Sequence, residues 1–197
     1  MVTKSANHDV YFVPGLHRGL RLLEILGNAE TPMSLSEIAR GMELSRSSTY
    51  RLVYTLRQME FIKEAEQAKT FTLGARVLNL GFVYLNQQPV TAIARPYLAT
   101  LRDVTGVSTH LSVLEGQDVL YLVSHQARSN YVSNMRTGTR TQAYASAIGW
   151  CLLGALDPDA LSAFADRQDY IRFTEHTPMD PSTLKAMVSQ TLERGFV

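Results

Sequence analysis

The stretch SRSSTYR, residues 45–51, gathers hydroxyl, phenol and guanidinium groups and holds no carboxylate. Serine hydroxyls suit phosphate oxygens, and an arginine can bond guanine through two atoms at once. The same stretch opens an apolar stripe with helical spacing, formed by Thr49, Leu52, Leu56 and Met59. The spacing therefore predicts a helix that packs through one face and offers the other face to a polyanion such as DNA.

Two further helices are predicted before this one. The segment GLHRGLRLLEILGN spaces Leu16 and Leu20 along one face and ends at a Gly-Asn pair, a usual helix stop. The next helix begins with Ser34 and Glu37, which are three residues apart as in a capping box. Ser45 is the expected N-cap of the third helix, after the short connection MELS.

Three short helices with a tight connection between the second and the third form a helix-turn-helix. The third helix of such a motif enters the major groove of DNA with its N-terminus first. The residues expected to contact phosphates and base edges are Ser45, Arg46, Ser47, Ser48, Tyr50 and Arg51. Leu52, Val53, Leu56 and Met59 are expected to hold the helix to its domain.

The segment after the third helix predicts a wing. Two short strands are expected at residues 61–64 and 70–73, around a polar turn. Lys69, near the tip of that turn, is a candidate phosphate contact, although Glu64 and Glu66 beside it would repel the DNA backbone. The N-terminal part of the chain is thus predicted to be a winged helix-turn-helix.

Composition limits the partners of the chain. Its 197 residues allow one medium domain or two small ones, and 45% hydrophobic residues suffice for ordinary cores. A formal net charge of +1 and a pI near 7.9 mean that DNA binding must come from a local surface rather than from bulk charge. Cys151 is the single cysteine, and no stretch resembles a signal peptide or a membrane span, so we expect a cytoplasmic protein.

Residues 74–94 form an apolar connector whose single charged residue is Arg76. Connectors are usually polar, so an apolar one must be buried against something. Pairing with the same helix of a second subunit would bury it and predicts a homodimer, which would also set two recognition helices about one DNA turn apart. Packing against the chain's own domains is the alternative.

The rest of the chain predicts an α+β domain. A helix over VTAIARPYLATLRDVTG leads into a hairpin, residues 107–114 and 119–125, around the turn EGQD. ASAIGWCLLGAL resumes helical character. Two further helices are expected to start with an Asp cap followed by Pro, at Asp157 and at Asp180.

The order of these motifs resembles the IclR family of bacterial transcriptional regulators over nearly the whole chain. The matching pieces are RGLRLLEIL, LSEIA, LSRSSTYRLVYTL, FTLGARVLNLG, RPYLATLRDVTG, VLYLV, RTGTR and ASAIGWCLLGAL. No single piece is specific for the family, but together, in this order and spacing, the pieces are.

The resemblance implies an α+β chain with three parts. A winged helix-turn-helix over residues 10–74 would be followed by a linker helix over 75–89 and by a GAF/profilin-like antiparallel-sheet effector domain over 90–197. Family members act as dimers, which can pair into tetramers, and repress or activate operons in response to small organic acids. The family's recognition-helix pattern falls on residues 46–51, with Thr49 where the family has Val.

The chain departs from the family at three places. Glu43 stands where the turn before the recognition helix usually has Gly, so a strained or altered turn is expected there. In the effector domain, TQAYASAIGW replaces the usual Pro, His and basic residue, which suggests a pocket altered toward larger or more aromatic ligands. The chain stops at LERGFV, where the family continues into further strands, so the resemblance implies a C-terminally incomplete effector domain.

The effector-binding residues expected in this chain lie at the start of a helix. Helix N-terminal amides near Ser146, Ala147 and Ile148 can accept a carboxylate, with Arg136 and Arg140 as charge partners. His110 and His125 would lie diagonally on one face of the hairpin if EGQD is a two-residue turn, although two histidines without a third ligand are usually ordinary sheet residues.

An enzyme would need a nucleophile beside a base, a carboxylate pair or a full metal set, and the sequence offers none of them. Neither a cofactor nor a metal is expected. The alternative function is a ligand-binding or protein-docking module that does not bind DNA and that is blind to effectors because its sheet is truncated. Binding that weakens steeply with salt would favour DNA over docking.

Overall fold

The computed structural model describes residues 11–65, 68–127 and 135–197. Val10, where the sequence predicts the start of the DNA-binding domain, and Glu66 of the wing lie outside these residues. Within them, no helix is both long enough and apolar enough to cross a membrane.

The chain divides into two compact units. The first unit ends at Tyr84 and the second begins at Leu85. The division falls within the segment 75–89 that the sequence predicts as a linker. The domain limits 10–74, 75–89 and 90–197 stay predictions, with two units as the observed division.

The first unit is a three-helix bundle with a small antiparallel sheet. Its elements are α1 (Pro14–Asn28), β1 (Met33–Ser34), α2 (Leu35–Met42), α3 (Arg46–Gln58), β2 (Ile62–Ala65) and β3 (Thr70–Leu73), followed by α4 (Arg76–Asn86), within which the unit ends. The strand order is β1-β3-β2. The predicted helix-turn-helix and wing are confirmed.

The sheet of the first unit contains one strand that the sequence does not predict. β1 is two residues long, with Met33 opposite Phe71 and Ser34 opposite Thr70. Ser34 is also the N-cap of α2, and its backbone N–H donates to Glu37 Oε2 at 2.7 Å. That bond and the one from Glu37 N–H to the Ser34 hydroxyl confirm the capping box. The hydrogen bond from the Ser34 backbone N–H to the carboxylate lowers the pKa of Glu37.

The core of the first unit lies between the three helices and the sheet. Its buried members are Leu22, Leu26, Ile38, Met42, Val53, Ile62 and Phe71. The inward face predicted for α1 is wrong in its first half, because the core lies against Leu22 and Leu26, whereas Leu16 and Leu20 are 63% and 54% exposed. Met59 is also exposed, since α3 ends at the residue before it.

The second unit is an antiparallel sheet between helices. Its elements are α5 (Pro89–Thr105), β4 (Thr109–Glu115), β5 (Asp118–His125), β6 (Arg140–Gln142), a 3₁₀ turn (Ala143–Ala145), α6 (Ala147–Leu153), α7 (Pro158–Asp166) and α8 (Pro181–Arg194). The strand order is β4-β5-β6. The α+β prediction is confirmed.

The two faces of this sheet are covered by different helices. α5 lies on the face of Thr109, whose hydroxyl donates to the Leu98 carbonyl at 2.8 Å. The other face carries Val119 and Tyr121, which pack into one core with Leu153 of α6 and with residues of α7 and α8. Neighbouring residues of a strand therefore belong to different layers of the unit.

A β-bulge changes the register of the β4–β5 hairpin. The two-residue turn is as predicted, with Glu115 opposite Asp118, but Leu111 pairs with Val123 while Ser112 pairs with Tyr121. The extra residue on β5 shifts every later pair by one position. The pairing of EGQD as a two-residue turn therefore does not fix the register at the far end of the hairpin.

The bulge separates the two histidines of the hairpin. His110 faces Ser124, and His125 faces Thr109, so the two rings lie on opposite faces of the sheet. The prediction that they share a face is therefore wrong. Within the described residues, no group of three or more His, Cys, Asp or Glu side chains could hold a metal ion.

The turn between α2 and α3 places Glu43 in a left-handed backbone conformation. Its φ and ψ are 55° and 38°, and its N–H donates to the Arg40 carbonyl at 3.1 Å. The next residue, Leu44, donates to the Ala39 carbonyl at 3.0 Å. These two bonds close α2 and turn the chain into α3. Of the two alternatives expected for Glu43, the structure has the strained residue and not a different turn.

Replacing Glu43 with Gly removes the Cβ that makes this conformation costly. We expect Glu43→Gly to raise the free energy of unfolding of the first unit by about 1 kcal/mol. Hydrogen exchange of α2 and α3 amides under native conditions measures this change. Glu43→Gln keeps the Cβ and removes the charge, so an equal gain in that variant would contradict the backbone explanation.

The caps of α7 and α8 follow the predicted Asp-Pro pattern. Asp157 Oδ1 accepts from Ala160 N–H at 2.8 Å, and Asp180 Oδ1 accepts from Thr183 N–H at 2.9 Å. Hydrogen bonds from the hydroxyls of Ser182 and Thr183 lower the pKa of Asp180 from 3.8 to about 2.

The depressed pKa of Asp180 predicts acid sensitivity of the second unit. The cap stabilises the unit fully above the ordinary pKa, and that stabilisation is lost as the pH falls from about 4 through about 2. We expect Asp180→Ala to lower the Tm at pH 7 and to flatten its fall below pH 4, measured by Trp150 fluorescence. Asp180→Asn, which keeps a cap acceptor without titrating, should lose less Tm at pH 7 and should also flatten the fall; an unchanged pH profile in both variants would contradict this.

Candidate nucleic-acid interface

The N-terminus of α3 is exposed and capped by Ser45. The Ser45 hydroxyl accepts from Ser48 N–H at 3.2 Å and donates to the Ser48 hydroxyl at 3.0 Å. Arg46 is the first helical residue, and the first turn holds no acidic residue. Free amides and the helix dipole make this end of α3 favourable for an anion.

The inner face of α3 fixes which side chains face outward. Thr49 is fully buried, and its hydroxyl donates to the Ser45 carbonyl at 3.0 Å. Val53, one turn later, is 2% exposed. With these two residues in the core, Ser47 and Arg51 lie on the opposite, exposed side of the helix, and Tyr50 is exposed beside them. Arg46 is exposed because it is the first residue of the helix.

The outer face of α3 carries an aromatic pair. Tyr50 and Tyr54 are both about half exposed, and their ring centroids lie 6.3 Å apart. The Arg57 guanidinium lies 5.9 Å from the Tyr54 ring and forms an ion pair with Glu64 of β2. Tyr54 extends the surface of the predicted contacts by one turn, and its position four residues after Tyr50 is the signal that could have placed it there.

A groove between α1 and α3 adds a basic residue that the sequence reasoning missed. Arg18 of α1 lines this groove together with Ser48 and Arg51 of α3. The groove floor includes Leu52, which packs against the core. Nothing in the local sequence pairs Arg18 with α3, because this proximity depends on how the helices pack. Two guanidinium groups therefore border one groove beside the start of the recognition helix.

The wing offers a third cationic position. Lys69 is exposed in the turn before β3, with φ at 49°. Glu64, which was expected to repel DNA beside it, is paired with Arg57, so its charge is partly neutralised. At the base of the wing, the Arg76 guanidinium donates to the Met59 carbonyl at 3.0 Å and lies 5.5 Å from the Phe61 ring.

The predicted DNA-binding residues thus lie on two elements of the first unit. Six of them follow one another on α3 or its cap, and Lys69 lies on the wing. Ser45 and Ser48 already hydrogen-bond each other. Of the three serines at the start of α3, Ser47 is therefore the one whose hydroxyl has no hydrogen bond within the described residues. Arginines, phenols and a hydroxyl on one exposed surface can reach both phosphates and base edges.

The predicted effector residues lie around the start of α6. The Ser146 hydroxyl accepts from Gly149 N–H at 3.2 Å and caps the helix. Ala147 is exposed, and Ile148 packs against the core of the second unit. A Cβ at Gly149 would lie 2.0 Å from the Ala143 carbonyl oxygen, so the helix start is pressed against the 3₁₀ turn and requires glycine there.

The two predicted charge partners, Arg136 and Arg140, have different surroundings. Arg136 is exposed, and its backbone N–H donates to the Thr139 hydroxyl at 3.1 Å. Arg140 faces Leu120 on the sheet, and its guanidinium pairs with Asp118 at 3.6 Å. Its side chain therefore lies on the face opposite to the one that α6 covers, which removes the geometric basis for Arg140 as an effector ligand.

Two family models match the chain. The model described as the IclR helix-turn-helix domain matches residues 15–66. The model described as bacterial transcriptional regulator IclR C-terminal matches residues 82–197, more than half of the chain.

Curated relatives match over nearly the whole chain. The Pca regulon regulatory protein of Pseudomonas putida is 28% identical over 95% of this chain and 64% of its own length. The transcriptional repressor IclR of Escherichia coli is 27% identical over 93% of this chain and 68% of its own length. The chain thus spans about two thirds of the length of these relatives.

A solved structure shares the fold. A Rhodococcus protein described as a transcriptional regulator is 30% identical, superposes with a TM-score of 0.77 and covers 93% of this chain and 73% of its own. The order and packing of the elements described above therefore recur in a crystal structure.

The Ser45 cap gives a stability prediction for the interface. Ser45→Ala leaves the Ser48 N–H without its partner, and we expect it to lower the free energy of unfolding of the first unit by about 1 kcal/mol. Ser47→Ala, at a neighbouring exposed serine that caps nothing, is the matched control and should cost much less. Hydrogen exchange of α3 amides measures both variants, and equal losses would contradict the capping role.

Proposed function

The chain belongs to the IclR family of bacterial transcriptional regulators, and we propose that it binds operator DNA in a sequence-specific manner as a repressor or an activator. The observation that carries this proposal is the exposed outer face of α3, where arginines, phenols and a serine follow one another from a capped helix N-terminus. In a helix-turn-helix this helix lies in the major groove. The proposal places the protein in the cytoplasm, with the DNA.

Each part of the interface has its own task in this proposal. Arg46 and Arg51 contact base edges or phosphates at the start of α3, with Ser47, Ser48 and Tyr50 between them. The cap residue Ser45 orients the helix start. Lys69 contacts a phosphate from the wing. Phosphate contacts set the position on the duplex, and arginine contacts to guanine read its sequence.

The modest charge favours two copies of this interface on one operator. With a net charge of +1, one copy gains little from bulk electrostatics. The linker helix α4 carries exposed apolar side chains at Leu78, Leu80, Phe82 and Val83. Such a surface fits a homodimer, whose two recognition helices would read half-sites about one helical turn apart, or a dimer of dimers as a tetramer.

The second unit is proposed to bind a small organic acid that changes the affinity for DNA. The effector residues are Ser146, Ala147 and Ile148, with Arg136 as charge partner. Arg140 is paired with Asp118 on the other face of the sheet and is no longer part of this proposal. The family resemblance supports the ligand class, and the start of α6 supports the location.

The DNA contacts are tested with purified protein and DNA from directly upstream of its own gene, at two salt concentrations. We expect salt-sensitive binding that Arg46→Ala and Arg51→Ala each weaken by about 1–3 kcal/mol if the arginine reads a base. Arg46→Lys keeps the charge but loses the two-atom contact, so it should retain phosphate binding and lose sequence preference.

The control variant is Arg172→Ala, which removes an exposed arginine from the second unit. It should leave DNA affinity unchanged. Unchanged affinity in both α3 variants would contradict the proposed contacts. Binding that does not depend on salt, or no DNA binding by the folded chain, would favour the alternative of a module that docks to a protein through its apolar surfaces.

A further inference from the structure

The inner face of α1 changes character along the helix. Leu22 and Leu26 are buried in the core of the first unit. The positions on the same face one and two turns earlier are Arg18 and Gly15, because residues three, four and seven apart share one side of a helix. The first turns of α1 therefore direct a guanidinium group toward α3 at a position where a core helix would carry an apolar side chain.

Arg18 borders a groove whose other wall is α3, which we call the α1–α3 groove. Ser48, Arg51 and Thr55 of α3 line this groove, and Leu52 forms part of its floor. Leu52 also packs against the core, so the floor is held in place by the fold. None of the described residues that line the groove is acidic.

The positive charge of the α1–α3 groove is not neutralised by the described part of the chain. None of the ion pairs found there includes Arg18 or Arg51. Arg57, further along α3, is instead paired with Glu64 of the wing. Two like charges beside one groove repel each other, and an anion that lies between them turns this repulsion into attraction.

Ser48 adds a hydrogen-bond donor to the groove. Its backbone N–H donates to Ser45 Oγ at 3.2 Å, and its hydroxyl oxygen accepts from the Ser45 hydroxyl at 3.0 Å. The hydroxyl hydrogen of Ser48 takes part in neither bond, so it is left for an acceptor in the groove. Such an acceptor also lies beside the N-terminal end of α3, where the helix dipole favours negative charge.

These groups have the chemistry that binds a phosphate of a nucleic-acid strand. A guanidinium group binds phosphate oxygens through two parallel hydrogen bonds, and serine hydroxyls and helix N-termini bind them as well. Arg18, Ser48 and Arg51 are all exposed, so a DNA backbone that passes along α3 can reach them.

The α1–α3 groove and the wing lie on opposite sides of α3. Arg57 holds the wing through Glu64, and it follows Ser48 by about two and a half helical turns. The extra half turn places Ser48 and Arg57 on opposite flanks of the helix. A helix in the major groove of DNA has the phosphates of a different strand on each flank. The groove and the wing are therefore positioned for different strands.

We propose that Arg18 and Arg51 bind one and the same DNA phosphate in the α1–α3 groove, and that the Ser48 hydroxyl donates to it. The proposal rests on the proposed DNA binding and deepens it, because it adds a residue of α1 and assigns Arg51 to the DNA backbone rather than to a base. Arg18 and Arg51 then contribute affinity for any sequence, and sequence is read by the other exposed side chains at the start of α3.

The first test compares binding of the full chain to DNA from directly upstream of its gene and to a scrambled duplex of equal composition. Arg18→Ala and Arg51→Ala should each weaken binding to both duplexes by the same factor, about tenfold, and lower the salt slope of log affinity by about 1. Arg46→Ala should weaken binding to the upstream DNA more than to the scrambled duplex. Arg21→Ala, which removes an exposed arginine of α1 outside the groove, is the matched control and should retain the wild-type slope.

The second test locates the phosphate. In a series of duplexes, one backbone phosphate at a time is replaced by an uncharged methylphosphonate. We expect one position in each half-site at which the replacement weakens binding of the wild-type chain but has little effect on Arg18→Ala and on Arg51→Ala. The position at which Lys69→Ala becomes insensitive should lie on the other strand. Different positions for the two arginines would contradict the shared phosphate.

A third variant places a negative charge in the groove. Gly15 lines the groove, and a Cβ there would meet nothing within 4 Å outside its own helix. A carboxylate in the first turn of a helix also stabilises the helix. Gly15→Glu should therefore keep the wild-type Tm, measured by circular dichroism, and weaken binding to both duplexes. Gly15→Gln has the same size without the charge and should bind like the wild type.

The outcomes separate this proposal from the proposed function. Wild-type affinity in both Arg18→Ala and Gly15→Glu would overturn the phosphate site and leave DNA binding by α3 in place. A loss in Arg51→Ala that is confined to the upstream DNA would show that Arg51 reads a base, which also overturns the proposal. If the folded wild-type chain binds neither duplex, the proposed DNA binding fails, and the phosphate site fails with it.

Discussion

The turn between α2 and α3 is the constraint on which the DNA-binding unit depends. Two backbone hydrogen bonds close α2 and require a left-handed residue, and the chain places Glu43 there instead of glycine. With this geometry, Thr49 is buried in the core while the start of its helix stays exposed. The buried contacts of α3 therefore maintain the strained residue, and the strain is a cost of presenting Arg46 at the protein surface.

Stability and DNA recognition use different atoms of the same short segment. Ser45 and Ser48 are occupied with capping, and Thr49 bonds back to the Ser45 carbonyl, so these hydroxyls fix the helix. The groups left for the proposed DNA contacts are the Ser47 hydroxyl and the long side chains of Arg46, Tyr50 and Arg51. The Arg57–Glu64 pair similarly links α3 to the wing and removes one charge of each sign from the surface. Four cationic side chains remain exposed on the described helices and wing of this interface, namely Arg18, Arg46, Arg51 and Lys69.

The sequence predicts the elements whose signals are local. The capping box at Ser34 and the Asp-Pro starts of α7 and α8 each depend on residues within one turn, and they are confirmed. The stripe of α3 is confirmed except at Met59, which is exposed. It does not predict features that depend on contacts between distant segments. Arg18 reaches the groove only because α1 packs on α3, and β1 is a strand only because β3 lies beside it.

The bulge in β5 shows the same limit at the level of function. Turn chemistry fixes a register at one end of a hairpin, but a single extra residue exchanges the faces beyond it. The extra residue on β5 places His125 on the other face, whereas His110 stays on the face of Ser112 and lies beside Tyr121. Two histidines that the spacing places on one face of the hairpin thus lie on opposite faces in the fold, because the register beyond the bulge depends on an extra residue that the turn does not determine.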